Sequence, residues 1–223
     1  MKIVLFGGSG MVGQGVLREC LLDPDVERVV SVVRSETGEH HPKLREVVHR
    51  EFYDFSALEP DLAGTDACFF TLGVTSAGMS EDDYRRVTYD IAMAAASSLL
   101  RVSPSAVFIF VSGAGTDSSE RGRSMWARVK GRTENALLAM PFRAAYMFRP
   151  ALIQPLHGIR SRTTAYRIFY AIFWPVLPLL RRLLPQYVTT TERIGRAMLE
   201  AAKHGAPKRV LESADINALA SRS

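Results

Sequence analysis

The first 22 residues of the chain carry two hydrophobic patterns separated by glycines. Lys2-Ile3-Val4-Leu5-Phe6 is a short apolar run, and after it apolar residues recur with helical spacing. The recurring positions are Met11, Val12, Val16, Leu17, Cys20 and Leu21. The pattern predicts a buried strand, a turn and an amphipathic helix.

The same alternation continues along the chain. Runs rich in β-branched and aromatic residues predict further strands at 28–33, 47–52, 67–72, 106–111 and 144–148. Helical patterns occupy 81–100, which opens with three acidic residues, and 124–139. Because strands and helices alternate with short connections, we expect a parallel sheet covered by helices on both faces.

The turn after the first strand has the spacing G-x-x-G-x-x-G, with glycines at Gly7, Gly10 and Gly13. The first glycine lets the chain turn sharply, the second lets backbone amides approach a pyrophosphate, and the third lets helix and strand pack closely. The helix dipole and the free amides of the first turn favour an anion. The turn predicts a dinucleotide site, to which Ser9, Met11 and Val12 also contribute; an ordinary glycine turn is the alternative.

These features predict an α/β fold with a Rossmann-type doubly wound parallel sheet. We expect residues 1–150 to form the dinucleotide-binding core. Residues 151–223 are expected to be a small C-terminal substrate or lid region of the same compact unit.

In such sheets the ligand lies across the carboxyl ends of the strands. Arg34 ends the second predicted strand, where its planar, charged side chain suits the 2′-phosphate of NADP. We therefore expect NADP in preference to NAD; an arginine stacked on adenine is compatible with either cofactor. Asp54 and Phe55 are expected to bind the adenine through a carboxylate and a backbone amide. The residues expected near the ribose are Leu72, Gly73 and Val74.

The composition limits the classes of function but does not identify one. The chain has 223 residues, 47% of them hydrophobic, which suits one well-buried core. Cys20 and Cys68 lie in apolar patterns, and no Cys/His spacing indicates a metal site. Residues 1–120 hold 10 Lys and Arg against 18 Asp and Glu (−8), whereas residues 121–223 hold 18 against 5 (+13).

The basic half of the chain has two interpretations: it binds an anionic cofactor, substrate or membrane surface, or it is a solvated arginine-rich surface. No nucleic-acid motif accompanies it, so we expect no nucleic-acid partner. The first residues lack the pattern of a signal peptide, and we expect a cytoplasmic protein.

Several segments resemble the short-chain dehydrogenase/reductases, and more narrowly the atypical branch that includes the Tat-interacting-protein-like oxidoreductases and NAD-dependent epimerase/dehydratases. The resemblance spans nearly the whole chain. Its segments are the glycine turn, Val111-Ser112-Gly113, Thr71–Thr75, Tyr84–Asp90, Val129-Lys130-Gly131, Phe148–Ala151, Thr191-Glu192, Gly195–Met198 and Leu211-Glu212.

The resemblance implies hydride transfer by a serine and a Tyr-x-x-x-Lys pair. Ser112 and Lys130 match by position, and Lys130 is also expected to bind the nicotinamide ribose. The tyrosine position holds Trp126, whose indole is only a donor and cannot shuttle a proton. We expect Trp126 and Thr75 to line a substrate pocket. The family brings backbone against the nicotinamide at a segment that here comprises Pro150, Ala151, Leu152 and Ile153.

The most hydrophobic stretch lies within 165–184, and it has three interpretations: a lid over the pocket, a dimer surface, or a helix lying on a membrane. Our first functional hypothesis is an NADP-preferring oxidoreductase that acts on an apolar carbonyl or hydroxyl compound, as a monomer or homodimer. The alternative is a non-catalytic NADP(H)-sensing regulator or interaction protein, which Trp126 favours. An isomerase or epimerase that uses its cofactor transiently also needs the missing proton shuttle.

Overall fold

A computed structural model describes residues 1–159 and 186–222 of the chain. Its strands are β1 (Lys2–Phe6), β2 (Arg28–Val33), β3 (Leu44–Val48), β4 (Ala67–Phe70), β5 (Val107–Val111), β6 (Ala144–Arg149), β7 (Leu152–Gln154), β8 (Val188–Thr190) and β9 (Val210–Glu212). Seven of them form one parallel sheet in the order β3-β2-β1-β4-β5-β6-β9, while β7 pairs with β8.

The helices of the described residues are α1 (Met11–Leu22), α2 (Glu59–Leu62), α3 (Glu81–Arg85), α4 (Ile91–Val102), α5 (Met125–Ala139), α6 (Thr191–His204) and α7 (Ser213–Ala220). A π turn over Arg86–Asp90 joins α3 to α4, so the helical pattern predicted over 81–100 is continuous. Ser80 caps its start by accepting the amide of Asp83 at 3.1 Å.

Both faces of the sheet are covered, as the apolar strands predict. Alternate residues along each strand enter two separate cores, and those of β1 divide into Ile3 and Leu5 on one face and Val4 and Phe6 on the other. Helices α1, α6 and α7 pack on the first face, and α2, α4 and the end of α5 on the second. The predicted α/β Rossmann-type fold is confirmed.

Helices α1 and α6 pack closely because each carries a glycine at the contact. A Cβ on Gly15 would lie 2.5 Å from the Cβ of Thr191, and one on Gly195 would lie 2.8 Å from Cγ of Glu19. This contact brings the C-terminal part of the described chain against the helix that follows the glycine turn. The boundary predicted at residue 150 stays a prediction.

The prediction for the third strand was wrong in its bounds. The strand runs over Leu44–Val48 instead of 47–52, because it is the sheet edge and pairs from Val29↔Leu44 to Val33↔Val48 with β2. The apolar Phe52, included in the predicted strand, instead packs against Phe55 in the loop, with ring centroids 5.6 Å apart.

One prediction lies outside the described residues, namely the set of interpretations given for 165–184. Within residues 1–159 and 186–222, no helix is long and apolar enough to cross a membrane.

Candidate functional site

The glycine turn connects β1 to α1 at the centre of the sheet, where the strand order reverses between β1 and β4. Gly7 has φ +89°, a conformation that favours glycine. A Cβ on Gly13 would lie 1.9 Å from the carbonyl oxygen of Gly7. Gly10 differs, because the nearest atom to an added Cβ is the same oxygen at 3.3 Å. The first and third glycines therefore serve the turn and helix packing, whereas an added Cβ on the second would meet a single atom within 4 Å, the Gly7 carbonyl oxygen.

The start of α1 offers free amides to an anion. Gly10 is the N-cap and provides no side-chain cap, and the first turn holds no acidic residue. The amide of Gln14 is the first to reach back, donating to the Gly10 carbonyl at 2.8 Å. The amides of Met11, Val12 and Gly13 are thus the unsatisfied donors of a helix N-terminus.

The end of β4 lies directly against the glycine turn. Thr71 donates its hydroxyl to the Phe6 carbonyl at 2.8 Å, and the amide nitrogen of Leu72 is 2.8 Å from where a Cβ on Gly7 would be. The structure thus places Leu72 beside the glycine turn. The residues that follow it, Gly73, Val74 and Thr75, are exposed.

A surface cavity of about 380 Å³ lies beside the turn, at the ends of β2 and β3. Its lining residues are Ser9, Arg34, Ser35 and Arg50. Sequence reasoning identified Arg34 and missed Arg50, which follows β3 by two residues. Two guanidinium groups and no carboxylate line this cavity, so its electrostatic potential favours an anion.

Asp54 and Phe55, the residues expected at adenine, occupy the loop after β3. The Asp54 carboxylate is exposed and accepts the Ser56 amide at 2.9 Å, which is the main cause that lowers its pKa. The Phe55 ring is fully buried and packs edge-on against Phe6 at 5.2 Å. The ring anchors the loop to the end of β1 and leaves the Asp54 carboxylate in solvent.

Ser112 follows β5 and points into the protein. Its hydroxyl donates to the carboxylate of Glu134, and the Phe148 carbonyl is a further acceptor at 3.3 Å. Glu134 is fully buried in α5 and also accepts the guanidinium of Arg149, with Nε 3.0 Å from Oε1 and 3.1 Å from Oε2. The role predicted for Ser112, donation to a substrate oxygen, stays a prediction. In this structure the Ser112 hydroxyl donates its hydrogen bond to Glu134.

Lys130 lies one turn before Glu134 on α5, and its Nζ donates to the Ser112 carbonyl at 2.5 Å. Burial lowers the pKa of the Lys130 ammonium to about 8, and the Glu134 carboxylate opposes that shift. The next residue, Gly131, lets α5 approach the loop after β5, since a Cβ there would lie 1.8 Å from the Asp117 carbonyl oxygen. The Val-Lys-Gly segment therefore places Lys130 beneath the end of β5.

Trp126 stands one turn before Lys130 and is half-buried. Its six-membered ring is 3.5 Å from where a Cβ on Gly115 would be, so the indole covers the loop that follows Ser112. Trp126 and Lys130 thus approach the same strand end from successive turns of α5.

The segment expected beside the nicotinamide, residues 150–153, is fixed by hydrogen bonds to two other parts of the chain. The Pro150 carbonyl accepts the Ala114 amide at 3.0 Å, which joins it to the loop after β5, and the Ala151 amide donates to Ser213 Oγ at 2.9 Å. Leu152 and Ile153 form β7, a strand that sequence reasoning missed.

The structure therefore brings the predicted residues into two groups, the glycine turn with β4 and the cavity, and the β5–α5–β6 cluster. The sequence did not point to Arg50 or Glu134, and it gave Thr71 no role of its own. Glu134 had one available signal, because an acidic residue four positions after a lysine shares its face of a helix. In the described part of the chain no group of three His, Cys, Asp or Glu side chains is arranged to hold a metal ion.

No protein-family model matches the chain. It is 26% identical over 155 residues to the protein FMP52, mitochondrial, of Eremothecium gossypii, covering 69% of this chain and 66% of that protein. Its Emericella nidulans counterpart is 25% identical over 159 residues, covering 68% and 66%. The chain thus matches slightly less than two thirds of these relatives' length. Because both are named as mitochondrial proteins, the prediction of a cytoplasmic protein was wrong.

Solved structures share the fold at low sequence identity. A short-chain dehydrogenase/reductase family oxidoreductase from Burkholderia thailandensis superposes with a TM-score of 0.65 at 15% identity, covering 91% of this chain and 85% of its own. The Bordetella bronchiseptica enzyme WbmF, solved in complex with NAD+, gives 0.67 at 15% identity, covering 99% and 77%.

These likenesses show that the chain has the fold of the short-chain dehydrogenase/reductases, as the sequence resemblance implied. The narrower resemblance to the Tat-interacting-protein-like branch stays a prediction.

Proposed function

We propose that the protein is an NADP(H)-dependent oxidoreductase that transfers hydride between the nicotinamide and an apolar carbonyl or hydroxyl compound. The observation that carries this proposal is the cavity in which Arg34 and Arg50 meet Ser9 of the glycine turn. An anion at the α1 N-terminus and a second anion between two arginines are the requirements of a dinucleotide with a 2′-phosphate.

The preference for NADP follows from charge. A site for NAD places a carboxylate where the ribose hydroxyl lies, and that carboxylate repels a phosphate. Here the cavity lining has two guanidinium groups and no acidic side chain. Hydrogen bonds to charged groups contribute about 1.5–3 kcal/mol each, so each arginine is worth about tenfold or more in affinity.

The β5–α5–β6 cluster, which includes Ser112, Lys130 and Trp126, lies where we place the nicotinamide and the substrate. A bound nicotinamide supplies or accepts the hydride, and this chain must supply or accept the proton. The Ser112 hydroxyl donates its hydrogen bond to Glu134, and Trp126 does not titrate. Lys130 Nζ holds further protons beyond the one it donates to the Ser112 carbonyl, and its pKa of about 8 suits proton exchange near neutral pH. We assign the proton to Lys130 Nζ and the orientation of the substrate to Trp126 and Thr75.

The test is calorimetric titration with NADPH and NADH of the wild-type protein and of Arg34→Ala and Arg50→Ala. Arg28→Ala is the matched control, an exposed arginine at the opposite end of β2. We expect each cavity variant to weaken NADPH binding about tenfold or more while NADH binding and the control are unchanged. Equal loss for both nucleotides would contradict the 2′-phosphate assignment, and no binding of either by the wild-type protein would end the oxidoreductase proposal.

Trp126 favours a second candidate, a regulator that binds NADP(H) without turning it over and contacts a protein or membrane through residues 165–184. For this candidate, replacing Arg181 and Arg182 with glutamate would abolish sedimentation with anionic vesicles and leave the NADPH titration unchanged. Turnover of NADPH with any apolar carbonyl compound in a screen would decide for the enzyme.

A further inference from the structure

Glu134 is the most deeply buried charged side chain of the candidate site, and neither cofactor binding nor the proton transfer assigned to Lys130 uses it directly. Its side chain is 1% exposed, and its carboxylate accepts from two elements at once, the serine that follows β5 and the arginine that ends β6. A buried carboxylate is retained in a fold when its partners satisfy it, and here both partners do.

Glu134 and Lys130 hold the same residue from two sides. Glu134 accepts a hydrogen bond from the Ser112 hydroxyl, and Lys130 Nζ donates to the Ser112 backbone carbonyl at 2.5 Å. Because the two side chains are four residues apart, they share one face of α5. Rotation of Ser112 away from Glu134 would leave a buried charge without one of its donors.

Arg149 fixes the carboxylate in turn. Its guanidinium makes a forked contact with both oxygens of Glu134, donates to Ser118 Oγ at 2.6 Å, and lies 3.6 Å from Glu212. The hydrogen bond with Glu134 is the main cause that raises the pKa of Arg149. Together with the hydrogen bond from Ser112, this ion pair therefore joins the ends of β5 and β6 to α5.

We propose that Glu134 is a positioning residue: its carboxylate fixes the Ser112 hydroxyl and supplies the negative charge that Lys130 faces. The inference rests on the proposed function, in which Lys130 exchanges the proton. The inference also implies that Ser112 can only accept a hydrogen bond from a substrate, because its hydroxyl already donates to Glu134.

Other charged groups around α5 are engaged elsewhere. Glu81 of α3 pairs with Arg128, and Arg132 stacks on Tyr89 at 5.0 Å. Asp117, in the loop packed on α5, accepts the amides of Ser119, Arg121 and Gly122. Apart from burial, Glu134 is the group among the described residues that acts on the pKa of Lys130.

The test follows the protonation of Lys130 directly. The chain has five lysines, at positions 2, 43, 130, 203 and 208, so the ε-CH2 signals of protein labelled with 13C-lysine can be assigned with a Lys130→Arg variant. The Lys130 signal is titrated between pH 6 and 11 in the wild-type protein and in Glu134→Gln. The control is Glu81→Gln, which removes a carboxylate that pairs with α5 without touching Ser112.

We expect a midpoint near the pKa of about 8 in the wild-type protein. In Glu134→Gln the midpoint falls, because the charge that favours the ammonium is gone, and in Glu81→Gln it stays. An unchanged midpoint in Glu134→Gln, or an equal fall in the control, would overturn the inference. If Glu134→Gln alone does not fold, the double variant Glu134→Gln with Arg149→Met removes the guanidinium that would otherwise lose its carboxylate partner, and the same fall is expected.

Titration of the same samples with NADPH separates this inference from the proposed function. A wild-type protein that binds no NADPH defeats the oxidoreductase proposal, while the Lys130 midpoint still decides the role of Glu134. Conversely, if the protein binds NADPH tightly but the Lys130 midpoint is the same in Glu134→Gln as in the wild-type protein, the proposed function stands and the role proposed for Glu134 does not.

Discussion

The three glycines of the turn have the same spacing in the sequence but different physical tasks, and alanine substitutions separate them. In Gly13→Ala the new methyl carbon would lie 1.9 Å from the Gly7 carbonyl oxygen and 2.8 Å from Thr71 Oγ1. An ordinary contact between such atoms is about 3.5 Å, so the backbone of β1 or α1 must move. In Gly10→Ala the nearest atom is 3.3 Å away. We expect this methyl to occupy space at the N-terminus of α1, where an anion would bind.

The expected change in the free energy of unfolding for Gly13→Ala follows from two opposing effects. Overpacking of this kind costs about 3 kcal/mol. Alanine in place of glycine inside a helix stabilises the folded state by about 0.5–1 kcal/mol, because alanine loses less backbone entropy on folding. The net loss of about 2 kcal/mol corresponds to a fall in Tm of about 4–8 °C for a chain of this length. Gly10→Ala loses only a favourable N-cap residue, about 1 kcal/mol at most.

The assay pairs thermal unfolding, followed by circular dichroism, with NADPH titration at 10 °C, where both variants are folded. We expect Gly13→Ala to show the larger fall in Tm. For Gly10→Ala we expect a small change in Tm with a loss of NADPH affinity of about tenfold or more, or about 1.4 kcal/mol. A Gly13→Ala protein as stable as wild type, or a Gly10→Ala protein that binds NADPH normally, would refute the geometric reasoning.

Three further predictions use single changes. Trp126→Tyr restores a titrating hydroxyl one turn before the lysine, and we expect faster NADPH oxidation with apolar ketones; an unchanged rate would give the indole a binding role only. Burial raises the pKa of Cys20 and of Cys68, so neither thiol should react with Ellman's reagent in the native protein, and both should react in guanidinium; fast native labelling would show that a buried thiol is reachable. Gly131→Ala would place a Cβ 1.8 Å from the Asp117 carbonyl oxygen, and a fall in Tm of about 4–8 °C is expected in thermal unfolding, since the balance of overpacking and helix propensity is the same as at the turn.

The local pattern of the sequence determined the class of fold. Apolar runs without polar alternation indicate strands buried on both faces, and strands that alternate with helices over short connections can only form a parallel sheet. The glycine spacing also predicted the turn between β1 and α1, because Gly7 and Gly13 are required by backbone geometry within a few residues of each other.

The tertiary structure decided which distant side chains meet. Arg50 shares a cavity with Arg34 because β3 pairs beside β2 and ends at the same height, and the same register ended β3 at Val48. Glu134 meets Ser112 and Arg149 because β5 and β6 are neighbours beneath α5. Periodicity reports which face of an element is buried, whereas strand order and register set contacts between elements, and these depend on the packing of the whole sheet.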